Sequence, residues 1–302
     1  MLHAADLDLT RIARALDERF PELAPSAPVA VLDHGFGSVV VQTAGAIILR
    51  VGRSTRSYAG YGLEHRLLPA IAARLPVEVP SPRWVIEPCD DFADGAIGYP
   101  KIEGRTLSLE LFSNIDQGAL AAAIAGFLVA LHRVDVASLP EVPAAGPHER
   151  RASDSELHAA TVAALQQHLS VDDYARFDAF WQSYVGDAVM MDFDSVLTHG
   201  DLWYGNLLID GGGALTAVLD WEIARIGDPA RDFAGLKYFG APFVEDVLQR
   251  YAKHRGEGIG ELRARIGKIM IMRELYGVRW ALEGRSDRDI PEAIEKLRRA
   301  VG

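Results

Sequence analysis

Residues 198–208 read Thr198-His199-Gly200-Asp201-Leu202-Trp203-Tyr204-Gly205-Asn206-Leu207-Leu208, and a second acidic stretch, Val218-Leu219-Asp220-Trp221-Glu222, follows. An Asp, an Asn five positions later and another Asp beyond a short hairpin form the set that phosphoryl transfer from a nucleotide requires. One carboxylate orients the acceptor hydroxyl and takes its proton, while an amide oxygen and the other carboxylate hold magnesium on the phosphates. Asp201, Asn206 and Asp220 fill those roles in order. The plainer alternative is that His199 and Asp201 cap a loop and Asn206 starts a strand, but the added hairpin and Asp220 favour the chemistry. A metal-dependent hydrolase built on His199 and Asp201 fails because no second His-rich ligand set lies nearby.

These groups need elements to position them. Leu9, Ile12, Ala13, Leu16 and Phe20 recur at helical spacing, predicting an amphipathic helix that ends at Pro21. Val29–Asp33, Ser38–Thr43 and Ala46–Val51 read as strands, with Ala44-Gly45 as a hairpin turn. A helix is predicted over Leu63–Leu75, with Pro69 in its first turns or at a kink. Further short strands fall at Arg83–Glu87 and Ala96–Ile102. After Gly104 the pattern turns helical, over Ala119–His132, Asp154–Leu169 and Val171–Met190, and most of the segment to Gly302. Between them Leu207–Ile209 and Leu215–Leu219 flank Gly211-Gly212-Gly213 as a hairpin. The reading is α+β: a β-rich lobe over 1–99, a crossing at 100–104 and a helical lobe over 105–302.

The stretch His199–Asn206, with Leu219-Asp220-Trp221-Glu222 and Ile226-Gly227-Asp228-Pro229-Ala230-Arg231-Asp232-Phe233, resembles the aminoglycoside phosphotransferase family, a branch of the bilobal protein-kinase-like fold. Tyr99-Pro100-Lys101-Ile102-Glu103-Gly104 resembles the family's hinge, and Leu128–Asp135 its Leu-His helix end. Arg273-Glu274-Leu275-Tyr276-Gly277 and Trp280 are similar to the aminoglycoside 2''-phosphotransferases, and the chain also resembles macrolide phosphotransferases. The resemblance implies that Asp201 is the catalytic base and that Asn206 and Asp220 are magnesium ligands. It makes His199 structural and Asp232 a brace for the loop. ATP or GTP is the implied phosphate donor, with Tyr99, Lys101 and Ile102 at the nucleotide.

Two features of the β-rich lobe depart from that pattern. The strand cation expected on the phosphates is Arg50 where a Lys is usual, with Glu64 its natural partner; a plain surface ion pair is the alternative. Gly35-Phe36-Gly37-Ser38 is a fragment of a Gly-rich loop, its third glycine position taken by Val40, with Gly37 and Ser38 placed to cover phosphates. For the acceptor, Glu222, Glu245, Asp246 and Glu274 are candidate partners of a cationic aminoglycoside, with Trp280 beside them. Phe239, Phe243, Met270, Met272, Leu275 and Tyr276 suit core packing or an apolar pocket, so a macrolide is the second acceptor reading and a sugar, choline or other amino alcohol the third. A protein kinase is disfavoured because no Ala-Pro-Glu segment follows Asp220. A nucleotide-binding pseudoenzyme is the alternative from another class.

The remaining composition narrows the setting. The chain has 302 residues and a formal net charge of −11, which argues against a nucleic-acid partner. That surplus is local, since residues 201–302 carry 16 basic and 16 acidic groups. A single cysteine, Cys89, excludes an internal disulfide and a Cys-based zinc site. Asp6 and Asp8 stand where a signal peptide carries basic residues, and the apolar run Ala119–Leu131 falls short of the roughly 20 residues of a membrane span. A cytoplasmic protein with no membrane partner is expected, as a monomer or, alternatively, a dimer.

Overall fold

A computed structural model describes residues 9–19, 30–34, 38–43, 46–255, 259–283 and 289–302. By internal contacts the chain divides into two compact units, neither continuous in sequence. The first holds the residues through Ser108 with Ala137–Val142 and Gly205–Ala224, and the second holds Leu109–Val136, Pro143–Tyr204 and Arg225–Gly302. The hairpin expected within the helical part therefore belongs to the first unit.

In the first unit, β1 (Ala30–His34), β2 (Ser38–Gln42), β3 (Ile47–Gly52), β4 (Trp84–Ile86) and β5 (Ala96–Pro100) form an antiparallel sheet in the order β1-β2-β3-β5-β4. The turn Ala44-Gly45 lies outside the described residues, but β2 and β3 pair in hairpin register, Val41 against Leu49. The apolar face of α1 (Leu9–Arg19), carried by Ile12, Ala15 and Leu16, closes a core with Val39, Val41, Leu49, Val51, Ile86 and Phe92. Helix α2 starts at Thr55 rather than Leu63 and ends at Ile71, so Pro69 sits in its last turn, where a short 3₁₀ turn (Ala72–Arg74) takes over. Gly60 and Gly62 break the apolar period in its first half, which hid that half from the sequence pattern. A three-stranded sheet, β6 (Arg105–Thr106), β8 (Leu207–Ile209) and β9 (Leu215–Val218), completes this unit.

The second unit is helical: α3 (Leu109–Phe112), α4 (Gln117–Leu131), α5 (Pro147–His168), α6 (Val171–Gly186), α7 (Ala230–Ala234), α8 (Ala241–Arg255), α9 (Gly260–Leu282) and α10 (Asp289–Val301). Helix α4, capped by Asp116 and apolar almost all round, buries Leu120, Ile124, Phe127, Leu128 and Leu131 and packs on α8, as expected of a helix with no polar face. Helix α9 packs on α5, α7 and α10. Two short strands, β7 (Val196–Thr198) and β10 (Arg225–Gly227), pair antiparallel; β7 feeds His199, and β10 leads into α7 and Asp232. Asp228 fixes that approach by accepting from Arg150 (2.5 Å), Arg265 (3.2 Å) and the N–H of Ala230 (2.9 Å). No helix among the described residues is long and apolar enough to cross a membrane.

Candidate active site

Strand β3 is buried along its whole length and carries one cation, Arg50, 4% exposed and opposite Val40 and Ile97 in the sheet. Its Nη1 donates to Glu64 Oε1 at 2.6 Å, and its Nη2 donates to Asp220 Oδ1 at 2.8 Å and Glu222 Oε2 at 2.9 Å. Nε approaches Ser38 Oγ at 3.4 Å, and the Tyr61 ring lies 5.5 Å from the guanidinium carbon. Burial works against the charge of Arg50, but Asp220, Glu64 and Glu222 outweigh it and raise its pKa further. Glu64 is fully buried on α2; burial raises its carboxyl above the usual range, against the pull of Arg50. The Trp221 N–H donates to Glu64 Oε1 at 3.1 Å, which ties the post-hairpin segment to α2. Arg50 and Glu64 are thus a buried pair, not a surface one.

Antiparallel pairing of Leu207 with Val218 brings Asn206 and Asp220 to the same end of the β8–β9 hairpin, and the Leu219 N–H donates to the Asn206 carbonyl at 2.8 Å. Asn206 is buried, whereas Asp220 is partly exposed and holds φ at 64°, a left-handed conformation that side-chain-bearing residues rarely adopt. Glu222 turns toward Arg50 and abuts α2 so closely that a Cβ on Gly60 would lie 2.7 Å from the Glu222 Cβ. Tyr99 is buried on β5, its hydroxyl pKa raised by burial. Lys101 donates its backbone N–H to Ala46 O (2.7 Å) and its ammonium to Gln42 Oε1 (3.1 Å), with Ile102 half-buried beside it. Gly37 lies outside the described residues, while Ser38 opens β2 in a buried position.

In the second unit the loop His199–Asp201 hangs on Asp232 of α7. The Asp232 carboxylate, fully buried, accepts from the N–H groups of His199 (3.1 Å) and Gly200 (2.6 Å) and pairs with His132 Nε2 at 3.0 Å. Burial would raise its carboxyl, but His132, His199 and the Gly200 N–H hold it below the usual range. The other His132 nitrogen meets the Tyr251 hydroxyl at 2.9 Å. His199 is fully buried, and its Nδ1 accepts the Asp201 N–H at 3.2 Å. Gly235, in the 3₁₀ turn after α7, packs on the next loop residue so tightly that a Cβ there would overlap the Leu202 carbonyl.

Asp201 is part-buried and hydrogen-bonded through Oδ1 to Arg273 Nη2 on α9, a partner that local sequence does not reveal. Burial opposes the charge of Arg273, but Asp201 and Tyr238 raise its pKa. Trp203 and Tyr204, two and three positions after Asp201, stack edge-on (4.7 Å), and both lie near Tyr238 (6.3 and 6.1 Å), forming a half-exposed aromatic group. The carboxylates expected to attract a polycation are each taken. Glu245 is exposed and pairs with Arg263, Asp246 with Arg250, Glu274 with Lys237, and Glu222 with Arg50. Trp280 is half-buried on α9, while Phe239, Phe243, Met272 and Leu275 are core.

A sheet with a buried cation–glutamate pair, and a helical unit that suspends a His-Gly-Asp loop from a downstream aspartate, define the α+β class of kinase-like folds. Among solved structures, the GDP and kanamycin complex of APH(2")-IIia matches with a TM-score of 0.86 at 21% identity, covering 96% of this chain and 97% of that one. Macrolide 2'-phosphotransferase type I matches with a TM-score of 0.73 at 22% identity, covering 98% of each. In sequence, the chain is 30% identical over 118 residues to the uncharacterized protein YcbJ of Bacillus subtilis (strain 168), 39% of each chain. It is 33% identical over 106 residues to viomycin phosphotransferase of Streptomyces vinaceus, 34% of this chain and 35% of that one. The aligned stretches thus span well under half the length of these two curated relatives. A model of the phosphotransferase enzyme family matches residues 29–265, and the chain belongs to that family.

Proposed function

We propose that the protein transfers the terminal phosphate of ATP or GTP to a hydroxyl of a small organic acceptor, an antibiotic being the acceptor class. The observation that carries this reading is Arg50, a cation buried in the middle of a sheet strand and shared among Glu64, Asp220 and Glu222. Removing such charges from water costs several kcal/mol per ion, and packed apolar residues would stabilise the strand as well or better. A charged cluster in that position suits a site that meets phosphates. Arg50, held in place by Glu64, grips the nucleotide phosphates, with Gly37 and Ser38 covering them and Tyr99, Lys101 and Ile102 along the base. Asp201 orients the acceptor hydroxyl and takes its proton, on a loop braced by Asp232 and His199.

The oxygen donors fit magnesium. Asn206 and Asp220 leave one end of a hairpin together, with Asp220 fixed in a left-handed conformation. A hard cation bound by one or two protein oxygens takes the rest of its ligands from phosphates and water. When bound, it neutralises charge on the transferred phosphoryl group.

An aminoglycoside is the first acceptor reading, from the resemblance of the catalytic stretch. A less cationic acceptor, such as a macrolide, is favoured by the engagement of Glu222, Glu245, Asp246 and Glu274 with cations of the chain itself, and by the half-exposed Trp203, Tyr204 and Tyr238. The deciding experiment is nucleotide consumption with aminoglycosides, macrolides, choline and sugars, each with ATP and with GTP. Asp201→Ala is expected to abolish transfer while nucleotide affinity stays within about threefold, because the base acts on the acceptor and not on the phosphates. Transfer that survives in that variant refutes the base assignment. Nucleotide binding with no turnover on any acceptor favours the pseudoenzyme.

A further inference from the structure

The loop His199–Asn206 contains no lysine or arginine. A cation reaches Asp201 from far along the chain: Arg273, on α9, whose Nη2 hydrogen-bonds to Asp201 Oδ1. The two side chains are 25% and 27% exposed, so the pair is neither sealed in the core nor fully in solvent, and a ligand could meet it. Both sides of the contact are rigidly mounted. Met272 and Leu275, buried on either side of Arg273, anchor α9, while the loop is held by Asp232 and packed at Leu202 against Gly235. Tyr238 also contacts the guanidinium. The pair is part-buried beside the loop that carries Asp201, so whatever approaches that carboxylate also meets the guanidinium.

Taking Asp201 as the base, as read above, we propose that Arg273 is a catalytic residue, its guanidinium bridging Asp201 and the phosphoryl group in transfer. In a near-attack geometry the acceptor oxygen lies about 2.6–3.2 Å from the base and about 3–3.5 Å from phosphorus. An arginine already bonded to the base through one nitrogen has further N–H groups, on the same planar fork, within reach of the equatorial oxygens. In the step itself the acceptor oxygen bonds to the terminal phosphorus and the bond to the bridging oxygen breaks. The electron pair leaves with the nucleoside diphosphate, and the acceptor proton goes to Asp201. Arg273 exchanges no proton; it balances charge, as an arginine finger supplied in cis does.

The test is steady-state turnover of Arg273→Ala, Arg273→Gln and Arg273→Lys beside the unaltered chain, on the best acceptor of the panel or on water. The expected result for Arg273→Ala is a kcat reduced about a thousandfold or more, the range of arginine fingers. The nucleotide KM should move by no more than about threefold, because the lost interaction belongs to the transition state. Added guanidinium at tens of millimolar should restore at least about tenfold of that kcat, as a free cation refills the site. Arg273→Lys, which keeps the charge, should fall between the two and keep the unaltered melting temperature, separating catalysis from folding. A kcat within about tenfold of the unaltered chain overturns the proposal, as does a loss that guanidinium does not restore in a variant with an unchanged melting temperature. Asp201→Ala separates the two readings: if it too keeps its turnover, the base assignment falls with Arg273; if only Arg273→Ala does, Arg273 falls alone. An unaltered chain that turns over no acceptor overturns both.

Discussion

Asp232→Ala should be among the most damaging single substitutions in the second unit. The carboxylate is fully buried and accepts from two loop N–H groups and from His132. Its loss removes the acceptor of two loop N–H groups and the Nε2 partner of His132. Each buried donor that loses its acceptor costs about 1–3 kcal/mol. Water entering the vacated space recovers part of this, so the expected loss is about 4 kcal/mol, a large share of the roughly 5–15 kcal/mol that holds a domain together. Asp232→Asn keeps one acceptor oxygen but sets an amide against backbone N–H groups, for an expected loss of about 2 kcal/mol. Urea unfolding followed by tryptophan fluorescence measures both. Since the folded state holds this carboxyl below its ordinary value of 3.8, the stabilisation is present above that pH and disappears as pH falls through the lower folded value. The gap between the native chain and the Asn variant should therefore close in acid. An Ala variant that costs less than about 1 kcal/mol, or a gap independent of pH, refutes the account of how the loop is held.

Two further outcomes follow from the same unit. Lys237 touches Glu274, yet burial, with Arg273 and Lys296 nearby, pushes its ammonium down to about 8. The unfolded chain then binds more protons between about 8 and 10.5, and stability should rise with pH across that window. A nitrogen chemical-shift titration should show the midpoint near 8, moving up in Arg273→Gln; a midpoint near 10.5 in the native chain refutes it. Gly235→Ala should displace the Leu202 backbone and cost about 3 kcal/mol, with transfer activity lost alongside, because backbone cannot yield as a side chain can. A variant with unchanged melting temperature and activity contradicts the packing.

What the sequence discloses here depends on distance along the chain. Asp201, Asn206 and Asp220 fall within one loop and one hairpin, so their spacing alone suggests a chemistry. Arg50 stands out as a cation inside an apolar strand, and Glu64, Asp220 and Glu222 are the partners that explain it. Contacts between distant helices leave no such trace. His132 meets Asp232 across 100 positions and Arg273 meets Asp201 across 72, and only the packing of α4, α7 and α9 decides those pairings. The partners of the acceptor carboxylates are hidden for the same reason. Glu245 and Glu274 look available in the sequence, but Arg263 and Lys237 reach them from other elements of the fold. The start of α2 escaped notice because Gly60 interrupts the apolar period, and its missing side chain makes room for Glu222, a neighbour 162 positions away.

The charge around Arg50 leads to a dependence on metal that can be measured. One guanidinium faces three carboxylates, Glu64, Asp220 and Glu222. Phosphates brought to this cluster alone meet repulsion, since the cation is already shared; phosphates that arrive with a divalent ion give Asp220 a new partner and release part of the guanidinium. Metal-free nucleotide is therefore expected to bind at least about a hundredfold more weakly than its magnesium complex, because charges a few ångströms apart in a half-buried site interact by about 2–4 kcal/mol. Glu222→Gln removes one of the competing charges. At about 7 Å and an effective dielectric near 20, that charge is worth about 2 kcal/mol, roughly a thirtyfold gain for the metal-free nucleotide. The magnesium complex should gain much less, its charge being largely neutralised. Calorimetric titrations of both chains, with magnesium and with chelator, read the four affinities directly. Equal affinity for free and metal-bound nucleotide in the native chain, or a Glu222→Gln variant that leaves their ratio unchanged, means that Glu222 braces Arg50 without gating what it binds.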